Sequence, residues 1–170
     1  MKFTLFFLTL LASSFSLAIT DILAKEKACD ASTFSSTPEC KDLARLKNNL
    51  TDLKITACSK STRYESRFKA CLELAAKSPY LGPQTIDACS KIDHAAYGQI
   101  SVRCIAAASS GPNLNADKIN ACGSFKEIPE VQYCLLIAAA SSTLTGQAIM
   151  ECSKSFNPLK IEATQNCLAE

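Results

Sequence analysis

The sequence has no tryptophan, only one histidine and only five glycines. The glycines are scattered, so the chain lacks a glycine-rich loop of the kind that holds a phosphate. The histidine, His94, follows Asp93, but no serine stands in a nucleophile-elbow pattern that would complete a catalytic triad. An exposed loop histidine is the simpler interpretation. We therefore expect a protein that is not an enzyme and needs no cofactor.

An excess of charge of one sign is also missing, because the formal net charge is only +2. A chain with so little net charge lacks the excess of basic residues that is typical of a nucleic-acid-binding protein, so no nucleic acid is expected among the partners. Glu127 and Glu130 are neighbouring carboxylates that could in principle act as acid and base. A solvated loop is the simpler interpretation of this segment.

The one long apolar run covers residues 3–12. Lys2 precedes it and Ser16-Leu17-Ala18 follows it, which is the layout of a secretory signal peptide cleaved after Ala18. The alternative, a membrane anchor, would need roughly 20 apolar residues, and serines interrupt this run early. We predict a signal peptide over 1–18 and a secreted or periplasmic domain over 19–170, with no membrane span after cleavage.

Cysteine is abundant, and all ten cysteines follow the predicted signal peptide. Cysteines of a metal site stand close together, as in Cys-x-x-Cys, and usually have histidines nearby. Here the nearest two are eleven residues apart, so we expect no metal site and a set of disulfides kept in an oxidising compartment. The ten are Cys29, Cys40, Cys58, Cys71, Cys89, Cys104, Cys122, Cys134, Cys152 and Cys167.

Every second cysteine recurs with a period of roughly 31 residues. From the second cysteine of each pair to the first of the next, the step is 18 residues in all four cases. An isoleucine stands three residues before a first cysteine, and an alanine stands four residues after a second one; such spacings share a helix face. The isoleucines are Ile55, Ile86, Ile119 and Ile149, and the alanines are Ala44, Ala75, Ala108 and Ala138.

These patterns predict an all-α protein, a short solenoid of about five disulfide-stapled helix-pair repeats of roughly 31 residues. Thr37-Pro38 and Thr51 are suited to begin helices. The predicted units span about 22–49, 50–80, 81–113, 114–144 and 145–170.

Two disulfide connectivities agree with the repeat. Pairing within units uses all ten cysteines and joins 29–40, 58–71, 89–104, 122–134 and 152–167. Pairing between units, across the constant step, forms four bonds and leaves Cys29 and Cys167 free. Exported proteins rarely keep free thiols, so pairing within units is favoured, although sequence alone does not decide connectivity.

The repeated Ile-x-x-Cys and Cys-x-x-x-Ala patterns resemble, in architecture, the secreted and disulfide-stapled relatives of tetratricopeptide repeats. The chain lacks that family's spaced Trp, Gly and Tyr residues and its constant period of about 34 residues. The resemblance implies an array that binds peptides or proteins. No functional residue is carried over, because a fold does not determine a function.

The segments that join the two helices of a pair carry aromatic residues in roughly equivalent places, namely Tyr64, Tyr97, Phe125 and Phe156. These side chains either fold back over the helix pair or form a row of anchors for a partner along one edge. Arg103 and other basic residues near that edge could pair with acidic groups of the partner, or only add solubilising charge.

We expect a binding module for a peptide, a protein or a surface component. The alternatives are a structural or protective cysteine-rich protein, and a small secreted hydrolase or enzyme inhibitor. An exposed apolar patch would favour a binding function. A uniformly polar surface would favour a structural role, and a deep cleft that contains His94 would favour an enzyme. Asn49-Leu50-Thr51 matches an N-glycosylation acceptor, which matters only in a eukaryote.

Overall fold

The computed structural model describes residues 19–92, 99–154 and 166–168. Residues 19–30 form α1 and residues 166–168 are also helical. The helices between them are α2 (Thr37–Leu46), α3 (Asp52–Ser61), α4 (Glu65–Lys77), α5 (Pro83–Lys91), α6 (Gln99–Ser109), α7 (Ala116–Cys122), α8 (Ile128–Ala140) and α9 (Gly146–Lys154). These ranges contain no strand, which confirms the predicted all-α class. The predicted signal peptide, 1–18, lies outside them.

The helices follow one another in two rows. The odd-numbered helices carry the first cysteine of each pair, and α3, α5, α7 and α9 each contact the next along the chain. The even-numbered helices carry the second cysteine, and α2, α4, α6 and α8 do the same. The rows touch within the pairs α3–α4, α5–α6 and α7–α8. Within the described ranges, none of the helices is long and apolar enough to cross a membrane.

All ten cysteines form disulfides inside the helix pairs, as favoured from the sequence. The bonds are Cys29–Cys40, Cys58–Cys71, Cys89–Cys104, Cys122–Cys134 and Cys152–Cys167. Their Cα–Cα distances lie between 5.5 and 5.8 Å, which is usual for a disulfide. Five disulfides fit a protein of an oxidising compartment.

The core lies along the cysteines and the apolar stripes beside them. The predicted stripes are buried: Ile55, Ile86, Ile119 and Ile149 on the odd helices, and Ala44, Ala75, Ala108 and Ala138 on the even ones. Burying one isoleucine side chain contributes about 1.5–3 kcal/mol to folding. The core therefore repeats with the period of the sequence.

The 18-residue step from each second cysteine to the next first cysteine contains a leucine that sequence analysis missed. A leucine stands ten residues after each of the first four second cysteines, and it packs into the core. These leucines are Leu50, Leu81 and Leu114, which are buried, and Leu144, which is partly buried. The residue after the leucine is the N-cap or the start of the next helix; Thr51 and Asn115 accept a hydrogen bond there from the backbone N–H three residues on. A buried anchor and a cap at fixed places keep this connection at one length.

A buried lysine caps the end of α4. Lys54 stands on α3, four residues before Cys58, and its side chain is buried. Its Nζ donates hydrogen bonds to the carbonyl oxygens of Ala75, at 3.3 Å, and Ser78, at 3.0 Å. Carbonyls in the last turn of a helix have no partner within that helix, so the ammonium group satisfies two of them.

Lys118 makes the same arrangement on α7. Its Nζ donates to the carbonyl oxygens of Ala138, at 3.3 Å, and Ser141, at 2.7 Å, at the end of α8. Burial lowers the pKa of both Lys54 and Lys118 from the ordinary value. The α5–α6 pair has Thr85 at the equivalent position, so the lysine does not recur in every helix pair and is not seen as part of the sequence repeat.

Candidate binding surface

The aromatic residues predicted as partner anchors have different surroundings. Tyr64 is 59% exposed at the start of α4, and the guanidinium carbon of Arg67 lies 4.4 Å from the centre of its ring. Phe125 is only 2% exposed and packs in the core, so it covers the helix pair and offers no anchor. A phenyl ring has no polar group to keep in water, which favours this burial. Tyr97 and Phe156 lie outside the described residues.

Of the titratable groups considered for acid–base chemistry, the structure describes Glu127 and Glu130. His94 and Asp93 lie outside the described residues. Glu127 is exposed at the N-cap of α8, whereas Glu130 is buried and its Oε2 has no hydrogen-bond partner. Among the described residues, no group of three or more His, Cys, Asp or Glu side chains is placed to hold a metal ion.

The outer faces of the even helices change character along the chain. α2 contains four charged residues and α4 contains five. α6 and α8 contain one each, Arg103 and the buried Glu130. The residues two positions after the second cysteines show the change: Asp42, Glu73, Ala106 and Leu136. The exposed surface therefore passes from charged to uncharged between α4 and α6.

A groove of about 430 Å³ lies between α6 and α8 on this uncharged face. Ala106 and Ala107 of α6 line it, together with Leu135 and Leu136 of α8. Leu136 is 65% exposed. Arg103 is the one charged residue in the lining. The groove thus combines an apolar surface with a single cation.

A second groove, of about 530 Å³, lies between α7 and α9. Five of its eight lining residues are polar or charged, among them Asp117, Glu151 and Lys154. The helices come close here because Gly146 has no side chain: an added Cβ would lie 3.1 Å from the carbonyl oxygen of Asp117. Charged side chains of both signs therefore line this groove, whereas Arg103 is the one charged residue that lines the groove between α6 and α8.

Comparisons with protein-family models, with curated proteins and with solved structures find no match to this chain. The function is therefore inferred from the surface alone. The uncharged face escaped sequence analysis, which looked for anchors in the connections between helices. Aligning the helices on their second cysteines would have found it, since Glu73 and Leu136 then occupy the same position.

Proposed function

We propose that this protein is a secreted or periplasmic binding module without enzymatic activity, whose five helix pairs act as one short solenoid. Its partner is a peptide, a protein or a surface component. The partner docks on the outer face of α6 and α8. The observation that carries the proposal is the largely apolar groove between these two helices, with Arg103 as its one charged residue.

The chemistry of the groove supports this role. Ligand sites are usually concave and lined mainly by apolar side chains with a few polar groups. Here the lining joins exposed Leu136 to alanines that leave room for a partner backbone. The volume of about 430 Å³ lies within the roughly 300–1,000 Å³ of typical ligand sites. Neighbouring repeats of helical arrays commonly form such continuous binding surfaces.

The test is a display selection against the disulfide-bonded protein, with random peptides of about four helical turns. Selected peptides are then titrated against Leu136→Glu and against Leu53→Glu. Leu53 is 62% exposed on α3 and lies outside the groove, so it is a matched control. We expect Leu136→Glu to weaken binding by about tenfold or more, because a charge then replaces a central anchor. Leu53→Glu should leave the affinity unchanged.

A peptide set that binds both variants as tightly as the parent protein would contradict the proposed surface. A selection that yields no binding peptide would favour the second candidate, a structural or protective role. The five disulfides favour that candidate, because short closed loops resist unfolding and hence proteolysis. The structural or protective role is tested by comparing the rate of proteolysis of the disulfide-bonded protein with the rate after the disulfides are reduced.

Export has a separate test. If residues 1–18 are a signal peptide cleaved after Ala18, the protein recovered from the medium or the periplasm begins at Ile19. Intact-mass measurement with and without reduction gives the N-terminus and the number of disulfides together. A protein that keeps residues 1–18 and remains in the membrane fraction would contradict export as a free domain.

A further inference from the structure

We infer that the segment held in the α6–α8 groove is an amphipathic helix of a partner protein with an acidic side chain beside its apolar anchors, and that Arg103 binds this carboxylate. The inference rests on the proposed function, since it specifies the chemistry of the partner at the same surface. Two features of the groove support it, namely the shape of the lining and the positive charge of Arg103.

The lining forms a stripe along each helix. Arg103, Ala106, Ala107 and Ser110 follow the i, i+3, i+4, i+7 spacing of one helix face, and Gln132, Leu135 and Leu136 follow the same spacing on α8. The first stripe covers two turns, a length of about 10 Å. A helix that places its apolar face between two such stripes is a common mode of peptide recognition. The small side chains of the two alanines allow its backbone to come close.

Arg103 has no acidic partner among the described residues. It is exposed, and the rest of α6 has no charged side chain. The one acidic residue of α8, Glu130, is buried. Every ion pair between described residues lies elsewhere, from Asp21 to Lys91 along the chain. No described residue therefore forms an ion pair with the positive charge that the groove presents.

A guanidinium group beside an apolar surface is suited to a carboxylate. Its planar donors bind both carboxylate oxygens at once, which a lysine ammonium cannot do. The attraction strengthens when an apolar partner excludes water from the contact. A fatty acid also has a carboxylate and an apolar part, but such ligands are usually enclosed over 70–90% of their surface. This groove is partly open to solvent, which suits a helix better than an enclosed fatty acid.

The experiment is a double-mutant cycle on peptides selected against the disulfide-bonded protein. Each acidic residue of a selected peptide is replaced by its amide, and both forms are titrated against the parent, Arg103→Gln, Arg103→Lys and Lys77→Gln. Lys77 is an exposed basic residue of α4 outside the groove, so it is the matched control.

We expect one Glu→Gln or Asp→Asn change in the peptide to weaken binding to the parent by about tenfold, as for a lost charged hydrogen bond. Against Arg103→Gln the same change should have almost no effect. Arg103→Lys should recover only part of the affinity, because the bidentate contact is lost. Lys77→Gln should behave as the parent.

Four outcomes would overturn the inference. Peptides that depend on Leu136 but show no coupling to Arg103 would refute it while the proposed function stands. Peptides insensitive to Leu136→Glu would refute the proposed function itself. A dimer in sedimentation equilibrium that Leu136→Glu dissociates, or stoichiometric binding of dodecanoate that Arg103→Gln abolishes, would assign the groove to a second copy of this chain or to a lipid.

Discussion

Helices α4 and α8 are both 13 residues long and align residue for residue on Cys71 and Cys134. Their buried faces are closely alike: Phe68, Leu72 and Ala75 in α4 correspond to Val131, Leu135 and Ala138 in α8. Their outer positions differ: Lys69, Glu73 and Lys77 in α4 correspond to Gln132, Leu136 and Ala140 in α8. Packing determines the inner residues in both. The outer difference is not needed for packing, which is why we attribute it to a partner.

The two helix pairs are also alike at their ends. Lys54 and Lys118 each satisfy two carbonyl oxygens of the second helix. Cys58–Cys71 and Cys122–Cys134 close loops of similar length, with sequence separations of 13 and 12 residues. If the comparison is right, equivalent changes inside the two pairs should have equal effects on stability. Equivalent changes on the outer faces should differ only in binding.

The largest effect is expected from removing a disulfide. Replacing Cys58 and Cys71 together by alanine, or Cys122 and Cys134 together, should each lower the free energy of unfolding by about 3 kcal/mol, because each bond restricts a loop of similar size in the unfolded chain. Urea denaturation of both variants measures this. A loss in one pair more than twice that in the other would show that packing around the two bonds is not equivalent.

Removing a capping lysine should have the next largest effect. Lys54→Met and Lys118→Met each leave two helix-end carbonyls without a donor, so we expect each to cost about 1–3 kcal/mol of stability. Lys77→Met, at an exposed position with no ion pair to another described residue, is the control. Denaturation midpoints that fall together for all three variants would mean that the two buried ammonium groups do not stabilise the helix ends.

An exchange of the outer residues should hardly change stability. Glu73→Leu and Leu136→Glu alter exposed positions, so the free energy of unfolding should shift by less than about 0.5 kcal/mol in either variant. The buried neighbours serve as a contrast, since Leu72→Ala or Leu135→Ala should cost about 2–5 kcal/mol. If Leu136→Glu destabilised the protein as much as Leu135→Ala, the uncharged face would belong to the fold and not to a partner site.

The smallest effect is expected from salt. Ion pairs between described residues are confined to the part of the chain from Asp21 to Lys91, and most of them are exposed. High salt screens such pairs, which contribute at most about 1 kcal/mol each and often a few tenths. Amide hydrogen exchange in α2 and α4 should therefore become slightly faster in high salt, while exchange in α7 and α8 should not. Equal acceleration in both regions would contradict this difference.

Periodic features were predictable from sequence because they recur beside the cysteines. The isoleucine stripe, the alanine stripe and the disulfides within pairs all follow from helical spacing around Cys58, Cys89 and their equivalents. The lysine caps were missed, since Thr85 and Ala148 stand in place of the lysine in two of the pairs. The leucine anchors were missed because they lie ten residues from the nearest preceding cysteine, beyond the range of a helical contact pattern.

The apolar groove between α6 and α8 lies apart from the aromatic residues that sequence analysis named as anchors for a partner. Sequence analysis expected an exposed apolar patch and assigned it to aromatic residues in the connections. Aromatic residues in such segments turn either way: Tyr64 is exposed and Phe125 is buried. A pattern of aromatic residues does not encode that choice, because it depends on the depth of the core under each segment. The low charge of α6 and α8, with one charged residue each, was a more direct signal of the apolar groove.

Each disulfide begins and ends within one helix pair, so no covalent cross-link passes from one pair to the next. Gene duplication or deletion of a whole pair would leave every remaining thiol with its own partner. Such a chain is free to change its number of units without disturbing oxidative folding. A cut backbone inside a closed loop would likewise leave both pieces joined, whereas a cut in the connection after α2 or α4 would part them.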